Sequence, residues 1–307
     1  MNQRANRRGI IAIVGATAAF SANDSIVKLV ARACPLGEVL FVRGVMTCVL
    51  VGTVLVALGH LPSIGLGFRK LVLWRSTLEA LAAVLFTTAL LHMPLAELST
   101  VILVSPLIIT ALSVLLYGEL VGWRRWTAIT IGFVGTLFVV KPTPASFDVW
   151  ALLGILCAFC SASRDLITRR LHVATPTIVI SFMAAVSVTV AGLLMGFREE
   201  WRLLELRELG LLALSAAFLA AGNFLAVVAF RGVEISAVAP FRYSILIWAG
   251  IAGYVVFGEL PDRWSLIGAT LIVGSGVYAL HREAVRAREA AARAQQQAST
   301  VISPTSN

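Results

Sequence analysis

The sequence predicts an all-α polytopic membrane protein with ten transmembrane helices, arranged as two inverted five-helix repeats. Composition is the first observation behind this prediction: 59% of the 307 residues are hydrophobic, 13% are charged, and the mean hydropathy is +0.90. A soluble domain carries about 25% charged residues. The other two observations are apolar runs near the ~20-residue length that crosses a bilayer and a repeat within the chain.

The apolar runs recur from one end of the chain to the other, and each run predicts one helix. A signal peptide explains the first run poorly, because the run is long and Asn23, Asp24 and Lys28 make an unsuitable cleavage site. We therefore keep it as the first of ten predicted spans, which are residues 9–30, 37–59, 74–92, 97–117, 124–141, 149–170, 177–197, 208–230, 235–257 and 264–281.

The chain repeats itself with a shift of about 140 residues. YGEL at 117–120 matches FGEL at 257–260, and DSIVK at 24–28 matches DLITR at 165–169. Each half holds five predicted spans, and an odd number makes the second half enter the membrane from the opposite side. Inverted repeats of this kind are typical of secondary transporters, whose substrate site lies near the midplane between the halves.

The repeat divides the chain into five predicted parts. The tail begins with an arginine-rich helical pattern and ends in SPTSN, a composition typical of disorder. Attraction of arginines to anionic lipid explains both terminal segments without a protein partner. The parts are a basic cytoplasmic arm (1–8), the first repeat (9–141), a periplasmic linker (142–148), the second repeat (149–281) and a cytoplasmic tail (282–307).

The basic residues predict the orientation of the chain. With both termini in the cytoplasm, fifteen Lys and Arg residues fall inside and seven fall outside, as the positive-inside rule expects. Tryptophans other than Trp248 fall near predicted span ends, as an interfacial belt would place them. The net charge of +9 therefore reflects topology, and no nucleic-acid motif accompanies it.

Two aspartates lie one helical turn deeper in their predicted spans than the basic residues with which they are paired in spacing. Asp24 and Lys28 share one face of the first span, and Asp165 and Arg169 repeat this arrangement in the sixth. One interpretation is a salt bridge within each helix, with Lys28 extending to the headgroups. The other is that Asp24 and Asp165 line a cavity or a gate, because intramembrane carboxylates usually face a cavity or a partner charge.

Two arginines lie at matching depths and are candidate partners for these aspartates. Arg43 is near the predicted level of Asp24, and Arg242 is near that of Asp165.

The glutamates have simpler predicted roles. Glu79 is one turn from Arg75 and is expected to pair with it. Glu119 and Glu259, in the repeated GEL, are expected to make hydrogen bonds at helix ends or in loops.

Two prolines interrupt predicted spans. Pro106 in the fourth span and Pro240 in the ninth cannot donate a backbone hydrogen bond, which frees carbonyls near Ile102 and Ser236. In a membrane, freed carbonyls need partners or a polar cavity. Kinks at these points would suit helices that bend during gating.

Aromatic and polar residues follow Pro240. Ser244 and Trp248 share a face with it, and Tyr243 lies beside them. This face is either a stacking wall for a flat solute or a packing surface for a neighbouring helix.

Four blocks resemble the ten-helix EamA-type branch of the drug/metabolite transporter superfamily: SANDSIVKLV, GEVLFVRG, VSPL…YGELVGWRRW…GFVGTLFVVKP and APFRYSILIWAGIAGYVVFGELPD. The resemblance covers about residues 9–281. Within the branch, SAND…K and APFRY…GELPD are most similar to S-adenosylmethionine uptake carriers, and riboflavin importers are a further similar group. The resemblance implies two five-helix repeats around a central cavity. It places Asp24, Arg43, Pro106, Pro240, Arg242 and Tyr243 at or near the pathway.

The predicted function is secondary transport of a small organic metabolite across the bacterial inner membrane by alternating access. Uptake of an S-adenosylmethionine-like solute or of riboflavin is the first hypothesis, and export of amino acids or drugs is the alternative. The histidines lie at span ends or in loops, and no zinc or serine-hydrolase motif is present, so an intramembrane enzyme is a remote alternative. Single scattered charges argue against a channel. The expected partners are the solute and the bilayer, with no cofactor or metal; a homodimer stays an open alternative.

Overall fold

The computed structural model describes residues 3–117, 123–140, 149–168, 170–171, 175–230, 238–279, 281 and 285. Their side chains are described except at 3–6, 117, 124–125, 227, 230 and 239. Regular structure within these residues is entirely helical. Predictions that lie outside them concern Glu119, Arg169, Ser236, the linker and almost all of the tail.

The first half of the chain forms six helices and one 3-10 segment. The helices are α1 Gln3–Ala31, α2 Leu36–Ala57, α3 Lys70–His92, α4 Leu95–Ile102, α5 Ser105–Tyr117 and α6 Trp123–Val140, with the 3-10 segment Leu61–Phe68 before α3. The second half contains α7 Val149–Thr168, α8 Thr177–Gly196, α9 Leu206–Phe230, the 3-10 segment Ala239–Ser244, α10 Ile245–Phe257 and α11 at 263–279.

Eight segments of the described residues are long and apolar enough to cross a membrane. The polytopic fold is therefore confirmed, and the count of ten spans stays a prediction. The segments are residues 7–31, 36–57, 70–92, 95–116, 149–168, 177–196, 206–226 and 240–257, and α6 contributes a shorter apolar stretch at 126–140.

The fourth span is broken where the sequence places its proline. α4 ends at Ile102 and α5 begins at Ser105, because Pro106 has no N–H to donate to the carbonyl of Ile102. The Ser105 hydroxyl donates to that carbonyl instead, at 2.6 Å. The predicted free carbonyl is thus confirmed, and its partner is the residue beside the proline.

The ninth span also changes geometry at its proline. Pro240 lies in the first turn of the 3-10 segment, and α10 continues from Ile245. Gly258 ends α10 in the left-handed conformation, with φ +69°, which a glycine adopts without steric cost.

Helices from the two halves pack against each other in pairs: α1 with α9, α2 with α8, α3 with α7, and α4 with α10. α1 also contacts α10, and α5 contacts α7. The α2–α8 pair depends on small residues, since a Cβ at Gly44 would overlap Thr189 and one at Gly192 would overlap the backbone of Leu40 and Phe41. Small residues let membrane helices approach closely.

Side-chain contacts identify the two ends of the bundle. Lys28, near the C-terminus of α1, donates to the Met93 carbonyl at the C-terminus of α3, at 2.7 Å. The adjacent His92 stacks on Trp150 at the N-terminus of α7, with ring centroids 3.5 Å apart. We call this the Lys28 end, and the opposite end, where α3 begins near Arg75, the Arg75 end.

Candidate functional site

α1 carries a polar stripe along one face. Thr17, Ser21, Asp24 and Lys28 are spaced by four, three and four residues, so helical geometry places them on the same side of α1. Thr17, Ser21 and Lys28 are buried, and Asp24 is half-buried. A continuous polar stripe inside an apolar span is costly unless it meets partners or lines a cavity.

The stripe faces the 3-10 segment and α10. The Thr17 and Ser244 hydroxyls hydrogen-bond at 2.7 Å, and the Lys28 ammonium pairs with Glu259 Oε1 at 2.6 Å. These two contacts delimit a surface between the helices that we call the α1–α10 seam. It comprises the contacting residues Thr17, Lys28, Ser244 and Glu259. It also includes Ser21 and Trp248, which helical spacing places one turn from Thr17 and Ser244 on the same faces.

The middle of the seam holds two polar atoms that lack partners among the described residues. They are the Ser21 hydroxyl and the Trp248 indole N–H, and both atoms are buried. Thr17 and Ser244 are 227 residues apart, and so are Ser21 and Trp248. Because α1 and α10 run in the same direction, this equal spacing puts Ser21 and Trp248 at one level. A buried polar group without a partner costs about 1–3 kcal/mol, so this level is suited to a ligand.

A second polar cluster adjoins the stripe. The Asn23 amide donates to Asp24 at 2.8 Å, and its carbonyl oxygen accepts from Ser215 at 2.7 Å and from Arg43 at 3.3 Å. Arg43 and Asp24 attract each other electrostatically. The expectation that Arg43 lies at the level of Asp24 is therefore confirmed, although Arg43 donates its hydrogen bond to Asn23.

Lys28 does not reach the headgroups or pair within its own helix. Its side chain is only 1% exposed and its ammonium contacts Glu259 and the Met93 carbonyl. The interpretation of a salt bridge within α1, with Lys28 extending to the headgroups, is therefore wrong for Lys28, because its partners after α10 and in the α3–α4 connection were not visible in local spacing. The expected helix-end role of Glu259 is confirmed, since its Oε2 accepts from the Leu95 N–H at the start of α4, at 3.0 Å.

A network of four charges lies at the Arg75 end. Glu79 accepts from Arg75 at 2.8 Å, as predicted, and also from Arg164 at 2.7 Å. Arg164 pairs with its neighbour Asp165 at 2.8 Å. Arg242 is exposed. Arg242 was suggested as the partner of Asp165, but the arginine that pairs with Asp165 is Arg164.

Tyr243 packs in an apolar cluster rather than in the seam. Its ring lies among Leu103, Leu107 and Ile272, in space that a Cβ at Gly276 would occupy.

The predicted site residues thus divide into groups. Asp24 and Arg43 share one cluster, Trp248 lies in the seam, and Asp165 belongs to the opposite network. Sequence reasoning missed Thr17 and Ser21, although their spacing from Asp24 was a usable signal. No group of three or more metal-ligating side chains occurs in the described part of the chain.

The EamA-like transporter family matches the chain twice, over residues 7–141 and 148–280. The chain belongs to this family. The Thr17–Ser244 and Lys28–Glu259 contacts each join one matched copy to the other.

Several proteins named as carriers are similar to the chain. An S-adenosylmethionine uptake transporter of Rickettsia bellii is 32% identical over 58% of this chain and 61% of its own length. A pseudopaline exporter of Pseudomonas aeruginosa is 26% identical over 87% of this chain and 94% of its own length. A riboflavin transporter of Vibrio cholerae is 29% identical over 61% and 63%, respectively. The chain thus spans about three fifths of the Rickettsia and Vibrio relatives.

A solved crystal structure shares the fold, with a TM-score of 0.61 over 93% of this chain and 98% of that one, at 19% identity. Family membership also agrees with the expectation of a transporter rather than an enzyme.

Proposed function

We propose that the protein is a secondary transporter that takes up a small organic metabolite across the bacterial inner membrane by alternating access. The observation that carries this proposal is the α1–α10 seam. In a chain that the EamA-like transporter family matches twice, a buried polar stripe meets the other copy, and the polar atoms at its centre have no partners among the described residues. Polar groups at such a position suit a solute that enters and leaves.

The two copies are inverted repeats of five spans each. The packing pairs support this. The first three helices of one copy, α1, α2 and α3, correspond to α7, α8 and α9 of the other copy. Replacing each helix by its counterpart turns the α1–α9 pair into the α7–α3 pair and leaves the α2–α8 pair unchanged. The presence of the α1 C-terminus and the α7 N-terminus at the Lys28 end supports opposite orientations. With both termini in the cytoplasm, the Lys28 end faces the periplasm.

The solute pathway runs along the seam and past the cluster of Asp24 and Arg43. Trp248 is its aromatic wall and Asp24 its charged edge. The two breaks in the spans, at Pro106 and Pro240, are positions where helices bend. Asp165 and Arg242 lie toward the other mouth of the pathway, and Tyr243 supports the pathway by packing behind it.

The solute is an S-adenosylmethionine-like cation or a flat neutral molecule such as riboflavin. The relatives named for these two solutes support both choices. A cation beside the Trp248 ring would gain about 0.5–2 kcal/mol and would also be attracted by the Asp24 carboxylate. A neutral flat solute would depend on stacking and on the indole N–H.

Uptake into proteoliposomes tests the proposal, with labelled S-adenosylmethionine and labelled riboflavin supplied to wild type, Asp24→Asn and Trp248→Ala. If the solute is the cation, its saturable uptake falls about tenfold in Asp24→Asn, the effect of about 1.4 kcal/mol. If it is riboflavin, uptake survives Asp24→Asn and falls in Trp248→Ala. Glu200→Gln, at an exposed carboxylate, is the control. If neither solute moves in either direction, this choice of solutes is wrong.

Export is the second candidate, and the pseudopaline exporter, matched over 94% of its length, favours it. Uptake and export can be distinguished in proteoliposomes in which the protein has a single, defined orientation. An exporter loads solute only from the cytoplasmic face.

A further inference from the structure

The carboxylate of Glu259 binds three parts of the molecule at once. Its Oε1 pairs with Lys28 of α1 at 2.6 Å and lies 3.6 Å from Arg32. Its Oε2 accepts from the Leu95 N–H at 3.0 Å, and its own backbone N–H donates to the Gly253 carbonyl of α10 at 2.9 Å. α1, α4 and α10 therefore converge on a single residue.

The Lys28–Glu259 pair also forms hydrogen bonds with the connection between α3 and α4 on both sides of Pro94. Lys28 donates to the carbonyl of Met93, and Glu259 accepts from the N–H of Leu95, two residues further along. Pro94 between them has no N–H and precedes the first turn of α4. Backbone groups that have no helical partner at this junction are thus satisfied by the ion pair.

α4 is suited to move if the hydrogen bonds between the ion pair and the α3–α4 connection are lost. It has only eight residues, Leu95–Ile102, and the break before Ser105 separates it from α5. Glu259 holds its N-terminus, and the break gives its C-terminus a point about which to turn. Hinges of this kind at element ends absorb the backbone changes of domain motions.

We propose that Lys28 and Glu259 form a clasp that closes the pathway at the Lys28 end and must open to admit the solute. When the pair separates, α1 parts from the end of α10, the α3–α4 connection is no longer held from both sides, and the seam opens above Ser21 and Trp248. The clasp joins the two matched copies, so its separation is also a separation of the copies at this end. The proposal rests on transport as proposed above, but not on the identity of the solute.

Cysteine accessibility tests the clasp without any solute. Ser21→Cys is placed in a background in which the four native cysteines are replaced by alanine, and a membrane-impermeant thiol reagent is applied to each side of sealed vesicles. A separate Glu200→Cys protein identifies the side that corresponds to the Lys28 end, because Glu200 is exposed in the α8–α9 connection there. Glu259→Gln is the main variant, since its amide oxygen still accepts from Leu95 while the charge is lost. Glu205→Gln is the matched control at an exposed carboxylate of the same end.

The clasp predicts that Glu259→Gln increases the labelling rate of Ser21→Cys about tenfold from the Lys28 end only, and that Lys28→Met does the same. Glu205→Gln leaves the rate unchanged. If Glu259→Gln is monodisperse and its labelling rate from that side matches the control, the pair is a static support and the proposal is wrong. Equal increases from both sides would indicate general loosening and would also overturn it. Both outcomes are independent of whether any metabolite is transported.

Discussion

Lys28 is among the largest side chains that the fold buries completely, and its ammonium lies between a carboxylate, a carbonyl and an aromatic ring. The Phe257 ring centroid is 5.0 Å from the ammonium, so a cation–π contact adds to the ion pair and the hydrogen bond. A buried charge is stable only with partners of this kind, because desolvation alone costs several kcal/mol. The position of Lys28 therefore depends on α10 being in place.

Removing the charge of Lys28 should destabilise the protein more than removing the charge of its exposed neighbour Arg32. Lys28→Met leaves Glu259 without its main partner and should cost up to about 3 kcal/mol, the lower end for a broken buried pair, because Glu259 is 20% exposed. Arg32→Gln should cost less than about 1 kcal/mol, since Arg32 is 48% exposed and 3.6 Å from the carboxylate. Thermal unfolding in detergent, followed by tryptophan fluorescence, measures both. Equal shifts in melting temperature would contradict the buried pair.

Among individual residues, local spacing predicted the contacts within a helix and missed the contacts between partners that are distant in sequence. The Arg75–Glu79 pair has helical spacing, so the sequence reveals it. The partner of Lys28 is 231 residues away, and no rule of local spacing can find it. The repeat contained a signal, because Lys28 and Glu259 both belong to motifs that recur, but recurrence does not say which residues touch.

At the level of helices, proline positions predicted where spans break, and packing decided how tightly whole helices approach. The α4–α5 break follows from Pro106, whose missing N–H is a local property. The pairing of α2 with α8 is not local. It depends on Gly44 of α2, which faces α8, and on Gly192 of α8, which faces α2. Apolar periodicity alone does not reveal these close approaches.

The α2–α8 contact should fail when a side chain is inserted into it. Gly192→Val places atoms against the backbone of Leu40 and Phe41 and should abolish the monodisperse peak in size-exclusion chromatography. Gly210→Val is the matched control on α9, where a Cβ meets no atom within 4 Å. Similar behaviour of the two variants would mean that α2 and α8 do not pack as described.

For the molecule as a whole, hydropathy predicted most of the spans because crossing a bilayer demands a length and a composition that few other structures share. The contacts between the copies, among them the seam and the Arg164–Glu79 pair, were beyond the sequence, since they arise only when helices from different halves meet. Asp24 illustrates both sides: its depth marked it as a candidate, and the cluster that links it through Asn23 to Ser215 became visible only in the fold.

If solute passes along the α1–α10 seam, a group attached at position 21 should block it. Ser21→Cys, in a background without native cysteines, is treated with methyl methanethiosulfonate during uptake of whichever labelled solute, S-adenosylmethionine or riboflavin, the vesicles accumulate. Modification should stop uptake and excess solute should slow modification, whereas modified Glu200→Cys should transport normally. Complete modification of Ser21→Cys with unchanged uptake would show that the solute does not pass along the seam.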